Sequence, residues 1–328
     1  MILNKHGFDE SIDYKELFNL YMLESMKCDD LDKDLYFVTF YLLESNFNEK
    51  DLLFSNFFVS LCDDISTSLL LTKFFKDFDY NYSKMVKFFN DNFKEILWGD
   101  DKKYQKFTFA ESLESFIKIC DKIDSRFLKS LKNLDYFQIQ NRFKEVKYFG
   151  RYSLFNFSQM LKISNLSKAD LNTLFLSKGK DIWYVYSLSL VFGEFDKLPY
   201  KENKSKIFYN FNEDEKRAYD SYCLELCEKY PKLDFYRLET ALCYFRKMFR
   251  NKNSRYVGHE YDLLFETIDT AVKKHNNLYG FIDLEILNKF FDLNSAFKQN
   301  LNYDRYLEPP EQKCFYKEHK KESSFKEF

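Results

Sequence analysis

The stretch Ala110-Glu-Ser-Leu-Glu-Ser-Phe-Ile-Lys-Ile-Cys-Asp-Lys-Ile123 decides the fold class of this chain. Its charged side chains alternate with apolar ones that recur at intervals of three and four residues, the pattern of an amphipathic helix with one buried face. The apolar positions are Leu113, Phe116, Ile117, Cys120 and Ile123. The stretch therefore predicts an α-helix.

The same periodicity recurs along the rest of the chain. Asp214–Lys229 follows Asn212, a residue type that caps helix N-termini, and it carries Glu215 at capping-box spacing. Further helices are predicted over Ser83–Leu97 and Phe235–Phe249, and from Ser167 to Phe175. Roughly twelve such segments occur, with no convincing period-2 strand, and together they predict an all-α fold.

Composition excludes several classes of function. Seven glycines and four prolines in 328 residues leave little material for tight hairpins. No two glycines have the spacing of a dinucleotide-binding or phosphate-binding glycine loop, so nucleotide chemistry of that kind is excluded. The 50 Lys and Arg residues against 52 Asp and Glu residues give a net charge of −2, so the chain is not basic throughout.

The sequence predicts a cytoplasmic protein without a membrane span. Residues 1–6 lead into Asp9 and Glu10 and lack the apolar core of a signal peptide. The longest apolar run, Ile182 to Phe192, is about half the length of a membrane-spanning helix. Seven cysteines without framework spacing are typical of reduced thiols.

Charge is uneven along the chain. Between Pro231 and Gly258, seven basic residues face two acidic ones. A basic stretch of this kind suits phosphate binding. The alternative is that these side chains form a solvent-exposed helix face, where the negative end of the helix dipole favours basic residues. Its basic residues are Lys232, Arg237, Arg246, Lys247, Arg250, Lys252 and Arg255.

Two clusters place a glycine among chemically active side chains. They are Tyr148-Phe-Gly-Arg-Tyr-Ser153 and Arg255-Tyr-Val-Gly-His-Glu-Tyr-Asp262. Glycine lets the backbone approach a ligand closely. His259 and Asp262 share a face if a helix begins near Gly258. The alternative for His259 is a capping or surface role.

A metal site is the weaker interpretation of the cysteines. Cys223 and Cys227 are one helical turn apart, with Cys243 and His259 further on, and two such ligands can hold zinc. The spacing of the established zinc motifs is absent, and both thiols fit the buried stripe of the predicted helix. No metal ligand is assigned.

Taken in order, these clusters resemble the phage amino acid:DNA transferases, first described as α-glutamyl/putrescinyl thymine pyrophosphorylases. The resemblance runs from about Tyr36 to Lys273. This sequence departs from the family pattern at two places. It lacks the Leu-Pro-Gly-Ile-Gly-type hairpin of the DNA glycosylases, to which the family is related. It also lacks the Asn-Gly segment that some members carry before the position of Phe192-Gly193. The matching segments are Trp98-Gly-Asp-Asp101 with Tyr104-Gln-Lys106, Tyr148–Phe155, Glu239–Phe245 and Arg255–Asp262.

The resemblance implies a fold related to the helix-hairpin-helix DNA glycosylases, with two helical lobes and a cleft between them. The lobes would cover roughly residues 1–140 and 141–308 as one catalytic unit. The polar segment 309–328 is expected to form a flexible tail.

The resemblance also implies a reaction. An amino acid or amine would be transferred onto the pyrophosphorylated 5-hydroxymethyl group of a uracil base in DNA, with release of pyrophosphate. The base would be taken out of the duplex. The implied partners are this modified DNA and the amine donor. No cofactor is indicated, and a divalent metal is left open.

Residue roles follow from the resemblance position by position. Asp262 would act as general base, with His259 beside it, and Glu239 would orient Arg255 or bind the donor amine. The alternative for Glu239 and Arg255 is a salt bridge between helices. Phosphates would be bound by Arg151, Arg255, Lys247 and Arg250, and the flipped base would stack on Phe149 and Tyr256. The remaining motif residues are Gly150, Gly258, Asp101 and Lys106, of which the last two could equally cap and anchor a loop.

Two other functions remain open at this point. A DNA glycosylase would break the N-glycosidic bond and leave an abasic site. A non-catalytic helical protein would bind nucleic acid through its basic face without forming a covalent product.

Overall fold

The computed structural model describes residues 10–99, 102–120, 124–176, 183–195, 211–247, 257 and 259–293, with the backbone alone for 183–186, 247, 259, 262 and 292. Within these residues every regular element is a helix, which confirms the predicted all-α class. Sixteen helices are present in this part of the chain: α1 Tyr14–Cys28, α2 Lys33–Glu44, α3 Glu49–Cys62, α4 Ile65–Asp77, α5 Tyr82–Asp91, α6 Lys103–Phe107, α7 Phe109–Cys120, α8 Ser125–Leu131, α9 Tyr136–Phe143, α10 Arg151–Ile163, α11 Trp183–Val191, α12 Glu213–Lys229, α13 Phe235–Lys247, α14 His259–Lys274, α15 Asn276–Tyr279 and α16 Leu284–Leu293. None of these described helices combines the length and apolar character that crossing a membrane requires.

The helix with the clearest sequence signals forms as predicted. The Asn212 side chain accepts hydrogen bonds from the backbone N–H groups of Asp214 and Glu215, and the Glu215 carboxylate accepts one from Asn212 N–H. This reciprocal pair is the capping box that starts α12. The helices predicted around Leu113 and over Phe235–Phe249 also form, as α7 and α13.

The prediction of a helix from Ser167 to Phe175 is wrong. The Ser167 hydroxyl donates to the carbonyl of Leu134, and the Asp170 carboxylate pairs with Lys162. Both side chains therefore bind other parts of the chain and do not cap a helix. Residues 168–176 form bends and loops. The predicted helix Ser83–Leu97 is shorter than expected, because α5 ends at Asp91.

The helices group into two compact units, and their division differs from the predicted lobes. Among the described residues, unit 1 contains 10–32 and 171–260, and unit 2 contains 33–170 and 261–293. The boundary predicted near residue 140 falls inside α9, which packs on both α7 and α10 within unit 2. The predicted tail, 309–328, lies outside the described residues, and the predicted cleft stays a prediction.

Unit 2 is built around α3. Every side chain of this helix from Asp51 to Cys62 is buried, which identifies it as the central helix of the unit. It packs against α2, α4, α6 and α10. Phe57 stacks on Phe116 at 4.2 Å between ring centroids, so much of the aromatic surplus forms this core.

Unit 1 brings together helices that are far apart in sequence. Helix α1 packs on α11 and α13, and α13 also packs on α11 and α12. The ring of Phe245 on α13 lies 5.0 Å from Phe18 and 5.8 Å from Tyr21 on α1. Burial of these rings holds the start of the chain to α13.

Candidate functional site

Two of the sequence motifs meet in unit 2. Gln105 on α6 donates through its Nε2 atom to the backbone carbonyl of Tyr148 at 2.7 Å and to Ser153 Oγ at 3.2 Å. Lys102, just before α6, donates to the same Ser153 Oγ at 2.6 Å. The segment around Tyr104 and the Tyr148–Ser153 cluster thus form one polar site, which we call the α6–α10 site.

The ammonium group of Lys102 is buried in this site. Only 3% of the residue is exposed. Besides Ser153, it donates to the carbonyl of Ser60 at 3.3 Å and lies 4.7 Å from the ring centroid of Tyr152. A charged group at this depth is costly unless it is well solvated by protein groups, so these contacts hold both the lysine and the Tyr152 ring in place.

The N-terminus of α10 opens onto the α6–α10 site. Gly150 is the N-cap residue and supplies no side-chain capping bond. The first backbone bond of the helix joins Leu154 N–H to Gly150 O, so the N–H groups before it point out of the helix end. A Cβ atom added at Gly150 would meet nothing within 4 Å, and its φ of −69° is ordinary. Neither sterics nor conformation therefore requires glycine at this position.

Arg151 is the first residue of α10 and is exposed. The helix dipole makes this end of α10 positive, so a cation here adds to charge of the same sign. Burial raises the pKa of the Tyr136 hydroxyl above its usual range, and the nearby Arg151 charge opposes that rise. The first turn of α10 is thus an electropositive corner.

The Trp98-Gly99 part of the motif anchors the loop before α6. Gly99 N–H donates to the carbonyl of Cys62 at 2.9 Å. A Cβ atom at Gly99 would lie 2.6 Å from the Asp63 carbonyl oxygen, so no other residue fits. This glycine allows the loop to touch the end of α3 and so positions Lys102.

Lys106 has an anchoring role as well. Its ammonium group donates to the carbonyl of Ile96 and lies 4.6 Å from the ring centroid of Phe93. Burial lowers its pKa below the usual value. The anchoring alternative for Lys106 is therefore the one the contacts support, whereas Asp101 lies outside the described residues.

The predicted stacking role of Phe149 does not agree with its position. The side chain is 3% exposed, and its ring lies 5.5 Å from Phe57 and 5.8 Å from Phe157. Phe149 is part of the core of unit 2 and offers no free face to a base. The sequence did not distinguish this buried ring from its exposed neighbours Tyr148 and Tyr152.

The structure describes only part of the two motifs Glu239–Phe245 and Arg255–Asp262. Helix α14 begins at His259, so the condition for His259 and Asp262 to share a helix face is met, and Asp262 lies three residues further along the same helix. Glu239 is half-buried on α13. The side chains of His259, Asp262 and Lys247 are not described, and Arg250, Arg255, Tyr256 and Gly258 lie outside the described residues.

The two segments nevertheless both affect the same buried tyrosine in unit 1. Burial raises the pKa of Tyr21 well above its usual range, and the charges of Asp30, Glu260 and Cys243 add to the rise. Cys243 belongs to the first motif of this pair and Glu260 to the second. Both motifs therefore contribute electrostatically to the environment of one hydroxyl on α1.

An acidic turn after α1 is the feature that the sequence analysis missed. The Asp29 carboxylate accepts a hydrogen bond from the Arg237 guanidinium at 2.6 Å and one from Lys232 at 3.1 Å. Asp32 accepts a bond from the Thr240 hydroxyl at 2.6 Å. The only signal in the sequence was three aspartates within Asp29-Asp-Leu-Asp32.

This turn changes the interpretation of the basic stretch. Two of its seven basic residues, Lys232 and Arg237, pair with Asp29, and Arg246 is 5% exposed. Arg237 and Arg246 are therefore buried within unit 1, whereas Lys232 stays exposed. For Arg237, a buried ion pair replaces the expected phosphate contact.

The cysteines of unit 1 give no support for zinc. Burial raises the pKa of the Cys223 thiol well above its usual range, which favours the neutral form over the thiolate that a metal needs. Within the described part of the chain, no group of three or more histidine, cysteine or acidic side chains has a geometry that could hold a metal ion.

Comparison with known proteins gives the family. A sequence model described as amino acid:DNA transferase matches residues 22–253, more than half of the chain. The chain belongs to this family, and it is accordingly a transferase whose substrates are DNA and an amino acid. The matched region includes the α6–α10 site and the acidic turn and ends just before Arg255. No curated protein matches the chain, and no solved structure does.

Proposed function

We propose that this protein transfers an amino acid or amine onto a 5-pyrophosphoryloxymethyl-deoxyuridine base in DNA and releases pyrophosphate. The observation that carries the proposal is the electropositive first turn of α10, which lies inside the region matched by the family. Pyrophosphate carries several negative charges, and a positively charged helix N-terminus favours the binding of such an anion.

The chemistry makes three demands on the protein. The amine nitrogen attacks the methylene carbon attached to C5 of the base, and the bond from that carbon to the pyrophosphate oxygen breaks. Pyrophosphate leaves with the bonding electrons, and the amine loses a proton to a base. The protein must therefore expose the base, stabilise the departing anion and accept a proton.

The α6–α10 site is the proposed place of the anion. Backbone N–H groups at a helix N-terminus and arginine side chains bind phosphate groups through charge-assisted hydrogen bonds. Arg151 adds its positive charge to the positive end of α10, and both would attract a bound anion. The open space at Gly150 supports a close approach of the ligand to the backbone.

The remaining roles are carried over as part of the proposal. Asp262 accepts the proton, with His259 near it on the first turn of α14. Glu239 binds the donor amine or orients Arg255. Further phosphate contacts come from Arg255, Lys247 and Arg250, and Tyr256 stacks on the base.

Replacing Gly150 with Asp is expected to weaken anion binding without lowering the stability of the fold. Aspartate is a good N-cap residue, so the unfolding midpoint should stay the same or rise. Its negative charge repels an anion at α10, so transfer should fall by at least about tenfold. Gly150→Ala is the control and should retain transfer, since its methyl group meets no atom within 4 Å, carries no charge and leaves the N–H groups of α10 uncapped. Full transfer by Gly150→Asp would refute an anion site at this helix end.

The reaction itself is tested by nucleoside mass spectrometry. DNA that contains 5-hydroxymethyluracil is incubated with a kinase that pyrophosphorylates it, ATP and an amino-acid mixture, with and without this protein. We expect a new nucleoside that carries the amino acid, together with pyrophosphate. An unchanged nucleoside profile for every amino acid and amine contradicts the proposal, and strand breaks after alkali would indicate base excision instead.

A further inference from the structure

We infer that four exposed aromatic side chains beside the α6–α10 site bind single-stranded DNA by stacking on its bases. These residues, Tyr104, Phe107, Tyr148 and Tyr152, are called the aromatic surface below. The inference rests on the proposed function only in taking DNA as the substrate. It does not depend on which group leaves the base or on which amine is transferred.

The concentration of exposed rings is the first observation. The exposed fractions are 60% for Tyr104, 78% for Phe107, 48% for Tyr148 and 53% for Tyr152. Among the described residues six aromatic side chains are exposed, and these four belong to two short segments. Because large rings in water carry a hydrophobic penalty, such a concentration indicates a surface that a ligand covers.

The two segments are joined by direct contacts. Gln105, next to Tyr104, donates to the Tyr148 carbonyl at 2.7 Å. Lys102 lies under the Tyr152 ring, 4.7 Å from its centroid, while its ammonium group is bonded to Ser153. The four rings therefore belong to one region of unit 2.

Contacts within the protein restrain part of the aromatic surface before any ligand arrives. Tyr148 has a φ of 57°, a left-handed conformation that the Gln105 bond stabilises. The nearby Glu111 carboxylate raises the pKa of the Tyr148 hydroxyl. Phe107 rests against Phe93 with 5.3 Å between ring centroids. Side chains that are already ordered lose little entropy on binding.

Charge identifies the ligand class. The segments 102–107 and 144–152 together contain six basic residues and one acidic residue. Arg151, Lys103 and Lys147 among them are exposed. Aromatic rings that alternate with cations fit a single-stranded nucleic acid, whose bases stack on the rings while the cations contact its phosphates. A duplex keeps its base faces covered, so it offers these rings much less.

The test measures binding of a fluorescent thymine-rich oligonucleotide by anisotropy at one fixed salt concentration, as a single strand and as a duplex. Tyr104→Ala and Tyr152→Ala are each expected to weaken single-strand binding by about fivefold or more. Duplex binding should change less. Tyr104→Phe and Tyr152→Phe keep a ring and should bind as the unaltered protein does.

Phe265→Ala is the matched control, because this ring is 48% exposed on α14 and lies outside the aromatic surface. It should leave single-strand binding unchanged. Unaltered single-strand binding by both Tyr→Ala variants overturns the inference. An equal loss for single strand and duplex, or an equal loss in the Tyr→Phe variants, overturns it too, since neither agrees with stacking on exposed bases.

Failure of this inference and failure of the proposed reaction are distinguishable. If the unaltered protein forms the new nucleoside and the Tyr→Ala variants bind single strands normally, the stacking surface alone is refuted. If binding depends on the rings and no new nucleoside forms, the reaction alone is refuted. Unfolding midpoints of the variants verify that the exposed substitutions leave the fold intact.

Discussion

Replacing Asp262 with Asn is expected to lower the rate of amino-acid transfer by about 10²–10⁴-fold, the usual contribution of a general base. Asp262 is the fourth residue of α14. Asparagine has the same shape and accepts no proton at neutral pH. DNA binding should therefore persist while turnover is lost.

The matched control lies on the same helix. Asp269 is on α14 and forms an ion pair with Lys273, four residues away. Asp269→Asn removes one negative charge from the helix and should retain transfer. Rates are measured as nucleoside product per time at saturating donor, and DNA affinity is measured separately. If Asp262→Asn keeps more than about a tenth of the rate, Asp262 is not the base.

Replacing Asp29 with Asn is expected to give the largest loss of stability, about 3 kcal/mol in the free energy of unfolding. Asp29 is 8% exposed and Arg237 is 4% exposed, so the substitution leaves a buried guanidinium without its carboxylate. Asparagine tolerates the left-handed conformation of this position, where φ is 53°. The effect thus reports the lost charge rather than backbone strain.

Denaturant unfolding of the variants measures this loss. Glu114→Gln, which breaks the exposed pair with Lys118, is the control and should leave the midpoint unchanged. The double variant Asp29→Asn/Arg237→Leu should be more stable than the sum of the single losses predicts, because it removes both buried charges. An unchanged midpoint for Asp29→Asn would show that the pair contributes nothing to the fold.

Local sequence signals predicted the helices well where the ends are set by local chemistry. Helix α12 begins where Asn212 and Glu215 form their capping box, and α7 follows the spacing of Leu113, Phe116 and Cys120. The same reasoning failed at Ser167, because its hydroxyl bonds to a carbonyl 33 residues away. Periodicity describes neighbours along a helix and carries no information about such distant partners.

The candidate site was predictable to a similar extent. The motifs around Tyr104 and Arg151 were identified from the sequence, and the structure brings their segments together through Gln105 and Lys102. The sequence could not show that Phe149 points into the core. The pairing of Asp29 with Arg237 joins residues 208 positions apart, so it depends on how the chain returns to α1.

The packing of α1 on α13 has a consequence for the order in which the chain is made. Phe18 and Tyr21 leave the ribosome long before Phe245, the ring that covers them in the finished protein. At ordinary translation speeds this interval is about 10 to 45 seconds. Helices α2 to α10 are synthesised meanwhile, so α1 emerges before them and is covered by α13 only after they are made. Until then its apolar side chains are exposed to chaperones and to other nascent chains.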